Sequence, residues 1–149
     1  MGGPSASDKT IKRVWSAYYG GVPKTATDHL LVGSSRFFAR RTWWMLPDGI
    51  QRRVRDGQDG GELAILDEVG LDHLVERFGR LVIASGDGRF AELAADARSR
   101  GVHVHQVTGV GLPSRALMSA ASSRSRLKVN ARSGGPTPLD MPARHLRVA

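Results

Sequence analysis

Five carboxylates stand near the ends of the elements that the sequence pattern outlines: Asp56, Asp59, Glu62, Asp67 and Asp87. Acids gathered at loop ends are the donors that hard cations take. Mg²⁺ usually uses one or two carboxylates, with waters and substrate phosphates completing its shell. A cation held this way activates water and neutralises a phosphoryl transition state. Asp87 has the most telling surroundings. It follows the apolar run Leu81-Val82-Ile83, which ends in Ala84-Ser85-Gly86, and Gly88-Arg89-Phe90 leads at once into a helical pattern. In an open α/β sheet, ligands collect just beyond the carboxyl ends of the strands. Glu62 also sits where a loop meets a helix start. Asp67 lies five residues further on, about 140° round an ideal helix, so it is expected to support the site from behind. The plainer alternative makes Asp87 a helix cap and the other acids surface groups favoured by helix dipoles.

Other chemistries are poorly supported. Gly86-Asp87-Gly88 is not followed by a glycine at Ala91, so there is no G-x-G-x-x-G fingerprint, and no Walker lysine is present. Ser85 and Ser114 lack a His–Asp pattern for serine hydrolysis. His103 and His105 are two apart on a strand and share a face, a spacing more often seen in packing or surface residues than in ligands. With no cysteine, disulfides and zinc–thiolate sites are excluded. Trp43 and Trp44 are adjacent and cannot share a helix face. One is expected in the core and the other at a rim, where base stacking is a further option.

The elements that must position these groups follow from periodicity. Ile11, Val14, Trp15 and Tyr18 form an apolar stripe in a helix over residues 7–19, capped by Ser7 or Ser5. His29 to Gly33 reads as a short buried strand, and Ser34-Ser35 cap a helix running to about Met45. Residues 50–54 form a basic strand near the sheet edge, because their Gln and Arg side chains are costly to bury. Residues 55–61 read as a flexible loop. Helices follow over 62–69 and 71–78, then the strand 81–85, a helix over 89–100 ended by Gly101, a strand over 102–107, a helix over 114–122 and a short strand over 126–129. Alternating strands and helices predict an α/β fold, a Rossmann-like parallel sheet covered on both faces. The domain is expected over residues 7–129, with 130–149 as a basic disordered tail.

The chain has 149 residues, enough for one domain with a sizeable core, and a net charge of +8. Residues 124–149 contribute +5 and the preceding 123 contribute +3, so the excess is concentrated in the tail. Such a tail either favours polyanions without sequence specificity or is simply a solvated, soluble segment. No stretch is long and apolar enough for a membrane span, and the amino terminus does not read as a secretory signal. A cytoplasmic location, without membrane contact, is the expectation.

The run Val82-Ile83-Ala84-Ser85-Gly86-Asp87-Gly88-Arg89-Phe90-Ala91, followed by Arg98-Ser99-Arg100-Gly101-Val102-His103-Val104, resembles the NYN domain family of PIN-like ribonucleases. Asp59-Gly60-Gly61-Glu62-Leu63-Ala64-Ile65-Leu66-Asp67 is similar to that family's acid-bearing helix. Leu112-Pro113-Ser114-Arg115-Ala116-Leu117 is similar to its late serine-led helix. The resemblance covers about residues 7–122 and is closest to actinobacterial-type members. It implies a hydrolase acting on RNA with Mg²⁺ or Mn²⁺. Asp87 and Glu62 would hold the metal, Asp67 would be the assisting catalytic acid, and Ser85, Gly86, Gly88 and Ser114 would form the supporting loop. Glu62 stands where the family usually has Asp. Arg89 replaces a position that is often acidic, which lowers the negative charge of the site.

The family also opens with a central strand ending in an Asp-x-x-Asn motif. Met1-Gly2-Gly3-Pro4 resembles the segment just after it, so the expectation is a missing first strand and a truncated or misplaced start. A catalytically dead nucleic-acid-binding or interaction module of the same fold is the alternative, and an unrelated Rossmann-like ligand binder is a third.

Overall fold

The computed structural model describes residues 7–22, 26–109, 111–128 and 145–148. Six strands form one sheet: β1 (His29–Ser34), β2 (Gln51–Val54), β3 (Arg80–Ile83), β4 (His103–Thr108), β5 (Ser123–Arg126) and β6 (His145–Val148). Their order is β2-β1-β6-β3-β4-β5, and every neighbouring pair is parallel. Among the described residues six helices accompany them: α1 (Asp8–Gly21), α2 (Arg36–Thr42), α3 (Gly60–Glu68), α4 (Leu71–Arg77), α5 (Ala91–Ser99) and α6 (Arg115–Ala120). The α/β reading with a parallel sheet is thus what the chain adopts. Among the described residues, no helix is long and apolar enough to cross a membrane.

The sheet departs from expectation at its centre. Residues 130–149 were expected to lie outside the fold, yet His145–Val148 form β6 between β1 and β3. Leu31 and Ile83 both pair with Val148, one from each side. The centre of the sheet is therefore filled by a strand from residues 145–148. Two of the four residues in His-Leu-Arg-Val are polar, and the run follows a stretch rich in Pro and Gly. No periodicity marks so short a strand. The remaining residues of the expected tail, 130–144 and 149, lie outside the described residues.

Side chains alternate across the sheet and build two unlike layers. Leu31, Leu81, Ile83 and Val104 meet Ile65 of α3, Leu74 of α4, Ala94 and Ala97 of α5 and Leu117 of α6 in one continuous core. On the opposite face, Val82 and Val107 pack with Tyr18 of α1, while Leu30 and Val32 pack with Leu46 and Ile50. Trp15 and Tyr19 touch both of these smaller clusters. All four residues of β3 are buried, as expected for a strand covered on both sides, whereas β2 at the edge is half exposed.

Residues 55–61 are not simply a flexible loop. A Cβ on Gly33 would stand 2.1 Å from the Gly61 carbonyl oxygen, and one on Gly60 would stand 2.0 Å from that of Arg55. Only glycine lets the start of α3 lie directly on β1. That contact fixes where Glu62 stands.

Candidate functional site at the carboxyl edge of the sheet

Because all strands run the same way, their carboxyl ends share one edge of the sheet. The chain leaves β3 there through Ala84, Ser85, Gly86 and Asp87 and enters a 3-10 turn, Gly88–Phe90, that leads into α5. Asp87 is the N-cap of that turn: its Oδ1 accepts the Arg89 backbone N–H at 2.8 Å. The Asp87 N–H donates in turn to Ser85 Oγ at 3.0 Å. The Ser114 N–H donates to the Gly86 carbonyl at 2.9 Å, which docks the start of α6 on this turn. A Cβ on Gly88 would stand 2.8 Å from Ser114 Oγ, so a larger residue here would push the Ser114 side chain aside. Ser85, Gly86, Asp87, Gly88 and Ser114 therefore form one continuous structure.

Four of the five acids have evident partners. Asp56 accepts the Arg36 backbone N–H at 2.8 Å at the start of α2, and its Oδ2 lies 3.3 Å from Arg36 Nε. Asp59 is ion-paired with Arg89, which ties the approach to α3 to the Asp87 turn. It is also a non-glycine residue in the left-handed region, at φ 56°. Asp67, expected behind the site, instead pairs with Arg55 at 2.5 Å on the surface. This pairing is exposed, and among the described residues Asp67 makes no hydrogen bond or ion pair to the Asp87 turn or to Glu62. Asp87 itself serves its own turn. Glu62, in the first turn of α3, is half-buried and has no ion pair or hydrogen bond among the described residues. Its helix contacts the 3-10 turn after Asp87.

Gln106 of β4 escaped the sequence reading. It is fully buried, and its Nε2 donates to the Ser85 carbonyl at 3.3 Å, bracing the loop from beneath. Its Oε1 has no partner among the described residues. A glutamine between His105 and Val107 in an otherwise packable strand was the available signal, since a buried amide needs a partner to hold.

His103 and His105 do share a face, as their spacing indicates. They converge on one hydroxyl: Ser123 Oγ lies 2.8 Å from His103 Nε2 and 2.7 Å from His105 Nδ1. His105 Nε2 lies 2.9 Å from Ser125 Oγ. Burial, and secondly the Arg80 guanidinium, hold the His103 pKa below its ordinary value. This network binds β4 to β5 and lies apart from the Asp87 turn. Trp44 is 68% exposed while Trp43 is half-buried, which matches the expected division between rim and interior.

Among the described residues, no three His, Asp or Glu side chains gather closely enough to hold a metal ion. The donors at hand fit a smaller site of the kind Mg²⁺ accepts, with one or two carboxylates and the substrate's phosphate. Asp87 keeps an oxygen beyond the one used by its turn, and Glu62 keeps its whole carboxylate. Arg89 works in the opposite sense by neutralising Asp59. In comparisons with known proteins, no family model matches the sequence, and neither a curated protein nor a solved structure matches it.

Proposed function

We propose that the protein is a metal-dependent ribonuclease of NYN type that hydrolyses RNA phosphodiesters in the cytoplasm. One observation carries this reading: the Asp87 turn, the first turn of α3 with Glu62, and Ser114 meet at the carboxyl edge of a parallel sheet. Asp87 and Glu62 would hold Mg²⁺ or Mn²⁺. When bound, such a cation supplies an activated water and charge neutralisation at the phosphate. The chain's own contribution is positioning. Ser85 and Ser114 fix the turn through the Asp87 N–H and the Gly86 carbonyl, and Gln106 holds the Ser85 carbonyl. Gly33, Gly60 and Gly61 bring α3 down onto β1. Asp67, paired with Arg55, is assigned an assisting role only through α3.

The test is cleavage of an unstructured RNA oligomer with and without Mg²⁺. Cleavage should require the cation and disappear in Asp87→Asn. The loss should exceed the roughly 10–100-fold typical of a group that merely orients a ligand. Metal-independent cleavage, or full activity in Asp87→Asn, would overturn this assignment.

The Arg89–Asp59 pair favours a second reading, a catalytically dead module that binds nucleic acid. A guanidinium at this edge suits a phosphate better than it suits a cation. Binding of the same oligomer without cleavage, weakening steeply with salt, would select this reading.

A further inference from the structure

The second layer of the molecule ends in a surface that the Asp87 site does not use. Along α2 and the 3-10 turn after it, Phe37, Arg40, Arg41 and Trp44 fall at i, i+3, i+4 and i+7, the spacing of a single helical stripe. Phe37 and Trp44 are each 68% exposed, and Phe38 beside them is 42% exposed. Exposed apolar side chains grouped together in this way, rather than scattered singly, mark interaction surfaces. The charge around them is mainly positive, with Asp8 as the acid among Lys9, Lys12, Arg13, Arg40 and Arg41. Lys12 Nζ of α1 lies 5.6 Å from the Trp44 ring centroid, and Arg41 reaches Asp8 of α1 at 3.5 Å, so α1 extends the same surface. Lys9, Arg13 and Arg40 have no ion pair among the described residues and face solvent.

We infer that this stripe is a binding surface for single-stranded RNA, with Phe37 and Trp44 as stacking platforms and Lys12, Arg13 and Arg40 as phosphate contacts. Three features select this occupant. Flat rings separated by cations match a strand in which bases and phosphates alternate. A protein partner would meet the same aromatics, but lysine is depleted in protein interfaces, and here Lys12 stands over the Trp44 ring. The surface also begins in the right place. Ser35 caps α2 at the end of β1, and Asp56 fastens its first N–H, so the stripe starts from the carboxyl edge that carries Asp87. RNA as the ligand rests on the proposed function, whereas the stacking geometry is independent of Asp87.

The experiment measures binding of a fluorescent oligouridylate to the whole chain in EDTA, so that cleavage does not intervene. Phe37→Leu and Trp44→Leu keep the apolar surface and remove the ring. Each is expected to weaken binding by about fivefold to 150-fold, the range measured for loss of a stacked base. Lys12→Gln with Arg40→Gln should lower the slope of log affinity against log salt by roughly 0.7 per contact removed. All four side chains lie on the surface, and unchanged thermal unfolding verifies that the variants fold. Parent-like affinity in both leucine variants, or no RNA binding by the parent, overturns the inference. If the leucine variants lose binding but the parent never cleaves RNA with Mg²⁺, the stripe stands and the nuclease reading falls. If cleavage and binding both persist in the leucine variants, the nuclease reading stands and the stripe falls.

Discussion

The two faces of the sheet share every strand but are built from different materials. One face is aliphatic and continuous: Leu31, Leu81, Ile83 and Val104 lie under four helices, α3 to α6. The other is divided into two small clusters under α1 and the segment following α2, and it is rich in rings and polar groups. Trp15, Tyr18 and Tyr19 pack mutually there, with centroids 5.7–5.9 Å apart. Arg80, His103 and His105 lie on this side by strand alternation. The difference separates two tasks. The aliphatic layer holds α3, α5 and α6 rigidly, and these helices carry or contact the Asp87 turn. The aromatic layer leads outward to the exposed rings and cations of α2.

Breaking what the two faces have in common should have the largest effect. β6 is hydrogen-bonded on both sides, so Leu146→Pro removes a ladder donor at the centre of the sheet. Loss of the cooperative thermal transition is expected, because β1 and β3 would then lose their shared neighbour. A variant that melts like the parent would show that β6 contributes little to the fold.

The next contrast uses two neighbouring residues of β3, both without exposed surface, that point to opposite faces. Leu81→Ala opens the continuous core and should cost about 2–5 kcal/mol in denaturant unfolding. Val82→Ala removes two methyl groups from the aromatic layer. At about 0.8 kcal/mol each plus a small cavity, roughly 2 kcal/mol is expected. A larger loss in Val82→Ala than in Leu81→Ala, despite the smaller deletion, would mean that the aromatic layer is the better packed, and the proposed division of tasks would fail.

Legibility in the sequence follows the same division. The strand 81–83, the helix after Asp87 and the edge position of β2 were all readable, because each has a strong pattern of burial or its opposite. The Asp87 turn was legible because small residues and one carboxylate follow a fully apolar run. What could not be read depended on distant parts of the chain. Gly60 and Gly61 look like a flexible loop until the Gly61 carbonyl oxygen is known to lie 2.1 Å from where a Cβ on Gly33 of β1 would stand. Asp67 looked available until Arg55 was seen to claim it. β6 is four residues with no periodicity, and only its two neighbours make it a strand.

The smallest effect concerns pH and belongs to the aromatic face alone. Ser123 Oγ has one proton, so between the two imidazoles it donates once and accepts once. Burial and Arg80 already hold the His103 pKa below 6.5, its ordinary value. A histidine depressed in the folded state takes up its proton first when unfolded. Its stabilising contribution is therefore present above the ordinary value and is lost as pH falls through the lower, folded value. Thermal unfolding measured from pH 8 to pH 5 should show a decline below about 6.5. His103→Gln, which cannot titrate, should flatten that decline. Leu81→Ala should lower the whole curve and leave its shape intact. An unchanged decline in His103→Gln would move the pH dependence away from the β4–β5 network.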